Sequence, residues 1–310
     1  MIRLVVRSLA QAVVTLLGGA VITFVMLSAS PGDPAERILT ARGQESITWL
    51  QIEALRSELG LDRPLPVQLL NYLGGLATGD LGASWSTGRP VVDELATRLP
   101  ATLRLTVASL ALAVGFSLIL GLVAAAGAGR FPDHVSRTLS MFFLVVPSFL
   151  LGIVILDVVV VGFGVGVVIS DGSWSTVLFP ALTLALASAA SWSRVLRASL
   201  LGARSAPFLT VSRARGTTNV RRLLVHELPN ALPPFVTIIG LEIAFLLGGA
   251  PIVESIYSWP GVGRFTVQAV GTRDMPVIVG FVMISITLFV IASLAVDLFN
   301  AVIDPRLRRR

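Results

Sequence analysis

At 310 residues the chain has room for one or two domains, but 54% of it is hydrophobic and only 14% charged, where a soluble domain carries about 25%. With a mean hydropathy of +0.84 it lacks the polar surface to cover a water-soluble monomer; disorder, coiled coil and collagen are excluded too, which leaves a polytopic membrane protein. Cys and Lys are absent, which excludes disulfides, thiolate chemistry, Schiff bases and a Walker-type phosphate loop, and His134 and His226 lie too far apart for a metal site.

Taken in chain order, the apolar stretches at 9–27, 105–126, 139–163, 177–193, 232–253 and 277–299 read as six membrane helices, because about 20 helical residues cross a hydrocarbon core of about 30 Å. The first competes with a cleaved signal peptide, since Arg3 and Arg7 resemble a charged leader and Ser28-Ala29-Ser30 a cleavage site. Its apolar run exceeds the about 7–15 residues of a leader, so an uncleaved anchor is expected. The fourth stretch is short and rich in Ala and Ser, which suits close packing between helices.

Residues 31–100 form a long segment between the first two spans. Ser46 is placed to cap a helix with Ile47, Leu50, Ile52, Leu55 and Leu59 at helical spacing, ending at Gly60. Pro64 and Pro66 precede a second short helix over 67–76, and 91–99 reads as a third amphipathic turn closed by Pro100. Two readings stand for this segment: a small folded cap on the outer ends of the spans, or a docking surface for an external partner.

The other long connection, 194–230, is the most basic. Its pattern predicts a short helix, a break at Gly216, and a second helix ending at the prolines Pro229, Pro233 and Pro234. Two short helices at nearly right angles could present a knob to a soluble partner. With a cytoplasmic N-terminus, the inner segments hold fifteen Arg against three acids and the outer ones nine Arg against twelve acids, so both termini are expected inside.

The run FLTVSRARGTTNVRRLLVHELPNALPP at 208–234 resembles the EAA loop of binding-protein-dependent ABC importer permeases. The likeness to the B-type permease of the dipeptide/oligopeptide/nickel family extends over nearly the whole chain: PGDPA at 31–35, LGLDRPLPVQLLNYLGGLATGDLGAS at 59–84, RLPATLRL at 98–105, PSF at 147–149, PALTLAL at 180–186, ESIYSWPGVGRF at 254–265, RDMP at 273–276 and DPR at 304–306. It departs from that pattern with Arg215 for a usual Lys, Thr210 for a common Arg, no proline in the loop 164–176, and Glu242 for a neutral or small residue.

The resemblance implies an all-α membrane protein of six transmembrane helices with both termini cytoplasmic. Residues 1–30 would be the first helix, 31–100 an extracytoplasmic helical cap, and 101–310 the permease core, with the EAA-type loop near 207–234 between helices four and five. It also implies a permease subunit forming half of the translocation pathway for peptides or similar small solutes, in a bacterial inner membrane. Arg213, Ala214, Arg215, Gly216 and Thr217 would form or adjoin the coupling helix. The chain would bind no cofactor, and ATP and Mg would belong to partner ATPase subunits. Its partners would be a second homologous six-helix permease, two ATPase subunits or one fused pair, an extracytoplasmic substrate-binding protein and the lipid bilayer, with no nucleic acid.

Three acids fall within the predicted spans: Asp157, Glu242 and Asp297. A carboxylate at the bilayer centre costs roughly 2.5–3.5 kcal/mol, so each needs a reason to be there. Asp157 is expected near a span end or in a helix contact, and Asp297 is read as structural. Glu242, near the midplane, either faces the pathway and attracts cationic substrates or is a hydrogen-bonded buried carboxyl. A self-sufficient proton-coupled secondary transporter using Glu242 is the rival function. Finally, Gly248, Gly249, Pro251 and Glu254 cluster at the end of the fifth span. They read either as an outer gate or as an ordinary helix end followed by an interfacial Trp anchor.

Overall fold

A computed structural model describes residues 2–29, 32–41, 43–44 and 47–303. Pro31, Ser46 and the DPR motif at 304–306 lie outside the described residues, as do the side chains of Arg213 and Asp297. Among the described residues regular structure is helical, apart from one isolated bridge between Ala83 and Pro90. The helices are α1 (Ile2–Ser28), α2 (Pro34–Ala41), α3 (Trp49–Glu58), α4 (Leu65–Ala77), α5 (Val91–Ala126), α6 (Phe131–Val145), α7 (Ser148–Val154), α8 (Leu178–Ala203), α9 (Pro207–Ala214), α10 (Asn219–Arg221), α11 (Leu228–Ile256), α12 (Val262–Thr272) and α13 (Met275–Ile303). π-helical turns at Ile155–Gly162 and Arg222–Glu227 extend α7 and lead into α11.

By length and apolarity alone, two single helices among the described residues can cross a membrane, Val91–Ala126 and Met275–Ala295. Two bent pairs raise that to four: Phe131–Val145 with Ser148–Gly162, bent by 100°, and Asn219–Ile243 with Gly248–Ile256, bent by 64°.

Several expected boundaries change. The stretch 139–163 is broken at Val146-Pro147, because the residue before a proline is pushed out of the helical region; Val146 is extended, with ψ 122°. Pro100 does not close a helix, and α5 runs straight through it. An interior proline costs about 3 kcal/mol, which burial of Leu95 and Leu105 on either side of it can offset at about 2 kcal/mol each. The prolines of the basic loop likewise do not end a helix: Pro229 occupies the first turn of α11, where no donor is required, and α11 continues through Pro233 and Pro234. The cap of α3 is Thr48 rather than Ser46, and Ile47 precedes the helix. Gln51 Oε1 accepts from both the backbone N–H and the hydroxyl of Thr48 at 2.9 Å. α8 reaches Ala203, so Arg194 and Arg197 are helical rather than part of a loop.

The chain forms two compact bodies, residues 101–259 with 291–310, and residues 2–100 with 260–290. In the first, α8 is the central element, packing on α6, α7 and α11. Its small residues Ala181, Ala185, Ala189 and Ala190 are buried and permit close approach of those helices, while Trp192, Leu196 and Leu200 fill the remaining space.

In the second body, Val91, Leu95, Val262 and Val277 make one apolar cluster and Ala35, Ile38, Leu39 and Leu55 another, the latter beside a 2.7 Å ion pair from Arg56 to Asp33. The buried Asp274 carboxylate accepts from the Ser84 hydroxyl at 2.5 Å and from the backbone N–H groups of Trp85 and Ser86 at 3.1 Å. Asp274→Ala strands all three donors at a cost of about 1–3 kcal/mol each. Amide exchange at Trp85 and Ser86 should rise at least about tenfold, and Asp274→Asn should recover part of the protection. Unchanged exchange in the alanine variant would show that the carboxylate does not hold this loop.

Candidate coupling loop and pathway residues

The basic connection after α8 is built on one buried carboxylate. Glu227 is fully buried, and each of its oxygens accepts from a different guanidinium: Oε2 from Arg204 Nε at 2.9 Å and Oε1 from Arg222 Nε at 3.2 Å. Arg204 caps the end of α8, and Arg222 and Glu227 bound the π-helical turn, so the three side chains pin together the two ends of the connection. α9 packs on that π-helical turn, with Leu209 and Leu223 buried.

The five residues expected at the coupling position lie at the tip of this loop. Arg213 and Ala214 end α9, and Ala214 and Arg215 are exposed. Gly216 has φ +73°, and the Thr217 N–H reaches back to the Ser212 carbonyl at 3.2 Å, the bond of a left-handed helix cap. Thr218 then caps α10 by accepting from the Arg221 N–H.

The pathway candidates do not form one cluster. Glu242 lies within α11 and is tied inside its own chain, with Oε1 accepting from the Ser191 hydroxyl at 3.0 Å and Oε2 from the Trp192 indole N–H. Gly248 is exposed, whereas a side chain at Gly249 would stand 3.3 Å from Leu184. Both follow the 64° break, and Pro251 cannot donate to the carbonyl four residues back, which lies in that break. Asp157 is exposed on the π-helical extension of α7.

Glu254 begins a set of buried contacts that the sequence did not reveal. It is fully buried and accepts from the Thr102 hydroxyl at 2.7 Å. The Tyr257 hydroxyl lies 3.0 Å from that of Thr183 and donates to the Gly152 carbonyl at 3.1 Å, and Trp259 Nε1 donates to the Ala101 carbonyl at 3.0 Å. Trp259 is therefore a buried clasp and not an interfacial anchor. Missed as well was Asp133, a buried carboxylate that takes two 2.7 Å bonds from Arg197 and joins α6 to α8. In the sequence the only sign of Glu227 and Asp133 is that each is a lone acid amid arginines.

The described residues make a helical, strongly apolar chain with broken membrane helices, which fits a membrane permease. Residues 117–309 match the family described as binding-protein-dependent transport system inner membrane component, residues 1–106 match its N-terminal companion, and the chain belongs to this family. It is 37% identical over 308 residues to the glutathione transport system permease protein GsiC of Escherichia coli O6:H1 (strain CFT073), and 36% identical to that of Salmonella choleraesuis (strain SC-B67), covering 99% of each chain. Solved structures of similar fold include an amino acid ABC transporter, with TM-score 0.53 and 18% identity over 67% of this chain and 94% of that one. The inward-facing MetNI methionine ABC transporter gives the same score and identity over 68% and 96%. The chain is a multi-pass inner-membrane permease subunit of an ABC importer; it is not itself an enzyme, and ATP is hydrolysed on separate subunits. The secondary-transporter alternative finds no support.

Proposed function

We propose that this permease carries glutathione-like or other short peptides into a bacterial cell, as one of two homologous six-span subunits with both termini cytoplasmic. Two ATPase subunits, or one fused pair, would sit beneath them, and an external binding protein would deliver the substrate. The GsiC relatives, which match 99% of this chain, support a solute of that size and chemistry. The observation that carries the mechanism is the loop tip Arg213–Thr217, with its left-handed Gly216, standing on the buried Arg204–Glu227–Arg222 base. A rigid lever of this kind passes movement of an ATPase groove directly into α8 and α11. Co-purification tests the assembly: a second permease and an ATPase should accompany the chain, and a lone homodimer would refute it.

Residues 31–100 serve as the docking cap. Trp49 and Leu50 at the start of α3 are 68% and 81% exposed, with the Arg56 guanidinium 5.9 Å from the Trp49 ring. Exposed aromatic and aliphatic side chains beside a cation suit a protein partner. Trp49→Asp with Leu50→Asp should weaken stimulation by the binding protein about tenfold or more, with insertion unchanged. Full stimulation would remove α3 from the interface.

Glu242 lends its charge to the pathway while remaining anchored to Ser191 and Trp192. Glu242→Gln keeps the size, but it places an amide NH₂ against one of two existing donors. Uptake of cationic peptides should fall severalfold more than that of neutral ones, since Coulomb attraction is poorly screened away from bulk water. An equal loss for both would make Glu242 an anchor of α8 only. Gly248, Gly249, Pro251 and Glu254 form the outer gate, whose closed state is held by the Glu254, Tyr257 and Trp259 contacts.

A further inference from the structure

A buried hydroxyl on α8 has no partner in this structure. Ser188 is 2% exposed, and its Oγ makes no hydrogen bond. Other hydroxyls on the same helix do: Thr183 and Ser193 donate to the carbonyls of Phe179 and Ala190, and Ser191 donates to Glu242. A buried hydroxyl left alone is uncommon in a native structure and asks for a reason.

Its place on α8 supplies one. Leu184, Ser188 and Ser191 share one stripe of the helix, at i, i+4 and i+7. Both ends of that stripe meet α11: Leu184 at Gly249, where a side chain would stand 3.3 Å away, and Ser191 at Glu242. At a helical rise of 1.5 Å per residue, Ser188 is about 6 Å from Leu184 and about 4.5 Å from Ser191 along the axis, level with 245–246 of α11. That level lies inside the 64° break between Ile243 and Gly248. The break holds an unmatched acceptor as well, since Pro251 has no N–H to offer the Leu247 carbonyl. A donor without an acceptor therefore stands beside an acceptor without its helical donor, and in this structure the two are not bonded.

We infer that Ser188 is a positioning residue of the transport cycle: its hydroxyl donates to the Leu247 carbonyl once α11 re-bends and its outer end leaves α8. Here that end is docked, with the Tyr257 hydroxyl 3.0 Å from Thr183 of α8. Opening breaks this contact, and the new bond at Ser188 offsets part of the loss, so that neither state is too stable to leave. The inference rests on the reading of 248–254 as the outer gate.

The chain has no cysteine, so Leu178→Cys and Ile252→Cys, at two exposed positions, place a spin-label pair on the outer ends of α8 and α11 in the assembled transporter. With binding protein and ATP present, a second, longer distance should appear beside the docked one. Ser188→Ala should lower the ratio of long to docked distances about fivefold, the worth of one hydrogen bond, and uptake should fall with it. The melting temperature of the resting complex should stay the same or rise, because a hydroxyl with no partner contributes nothing to the docked state. Pro251→Ala gives the Leu247 carbonyl its helical donor, so adding Ser188→Ala to it should change little further. Unchanged uptake and distances in Ser188→Ala would overturn the inference. So would a lower melting temperature, which would mean that the hydroxyl already acts in the docked state, or an undiminished effect of Ser188→Ala in the Pro251→Ala background. A distance that stays single during turnover would refute the gate itself, whereas one that lengthens equally in the wild type and in Ser188→Ala refutes the role of Ser188 alone.

Discussion

A Gly216→Val transporter should insert and assemble normally, hydrolyse ATP, and lose at least about nine-tenths of its uptake. The backbone there has φ +73°, and nothing lies within 4 Å of where a side chain would point. The penalty is therefore conformational and not steric: a left-handed residue costs about 1–2 kcal/mol for an ordinary side chain and more for a β-branched one. The chain relieves it by unwinding the cap that the Thr217-to-Ser212 bond closes, which re-aims Arg213–Thr217. Asn tolerates this conformation, so Gly216→Asn should retain most of the transport. Uptake and substrate-stimulated ATPase that stay normal in the valine variant would remove this turn from the coupling path. So would equal damage from valine and asparagine, because that would point to lost flexibility rather than to a required left-handed turn.

The second large effect is expected at Glu227. Converting it to Ala leaves Arg204 and Arg222 facing each other with no anion between them. Breaking a buried ion pair in this way costs about 3–5 kcal/mol, a large fraction of the about 5–15 kcal/mol that holds a domain folded and enough to open the loop locally. Less assembled complex should be recovered, and amide exchange across 205–221 should rise while that of the α8 core around Trp192 and Leu196 stays protected. A double-mutant cycle separates the pair from its context: after Arg204→Met, the further loss from Glu227→Ala should be smaller than in the wild type. Full additivity would mean that the Arg204 bond carries no coupling energy and that the loop is held by the Arg222 bond and the packing of Leu209 and Leu223.

Much of this protein is legible in its sequence for simple reasons. Apolarity reports membrane location because hydrocarbon excludes charge, and the spacing around Gly216 reports a helix, a turn and a second helix because only glycine takes that backbone angle freely. The glycines and proline at 248–251 signal a weak point in α11, and the chain breaks just ahead of them. Prolines were less reliable guides. Pro147 breaks its span, while Pro100 and Pro233 sit inside helices that continue, since whether a missing hydrogen bond bends a helix depends on the packing around it.

Sequence alone therefore determined the class: a helical membrane permease with a folded segment after its first helix and a basic loop built around a glycine turn. Tertiary structure decided which charges act together. Glu227 reaches Arg204 across 23 residues, Asp133 reaches Arg197 across 64, and Asp274 captures a loop 190 residues away. No local pattern encodes such pairs, because a buried carboxylate is stabilised by whichever donors the fold brings to it, and periodicity describes only neighbours along one helix.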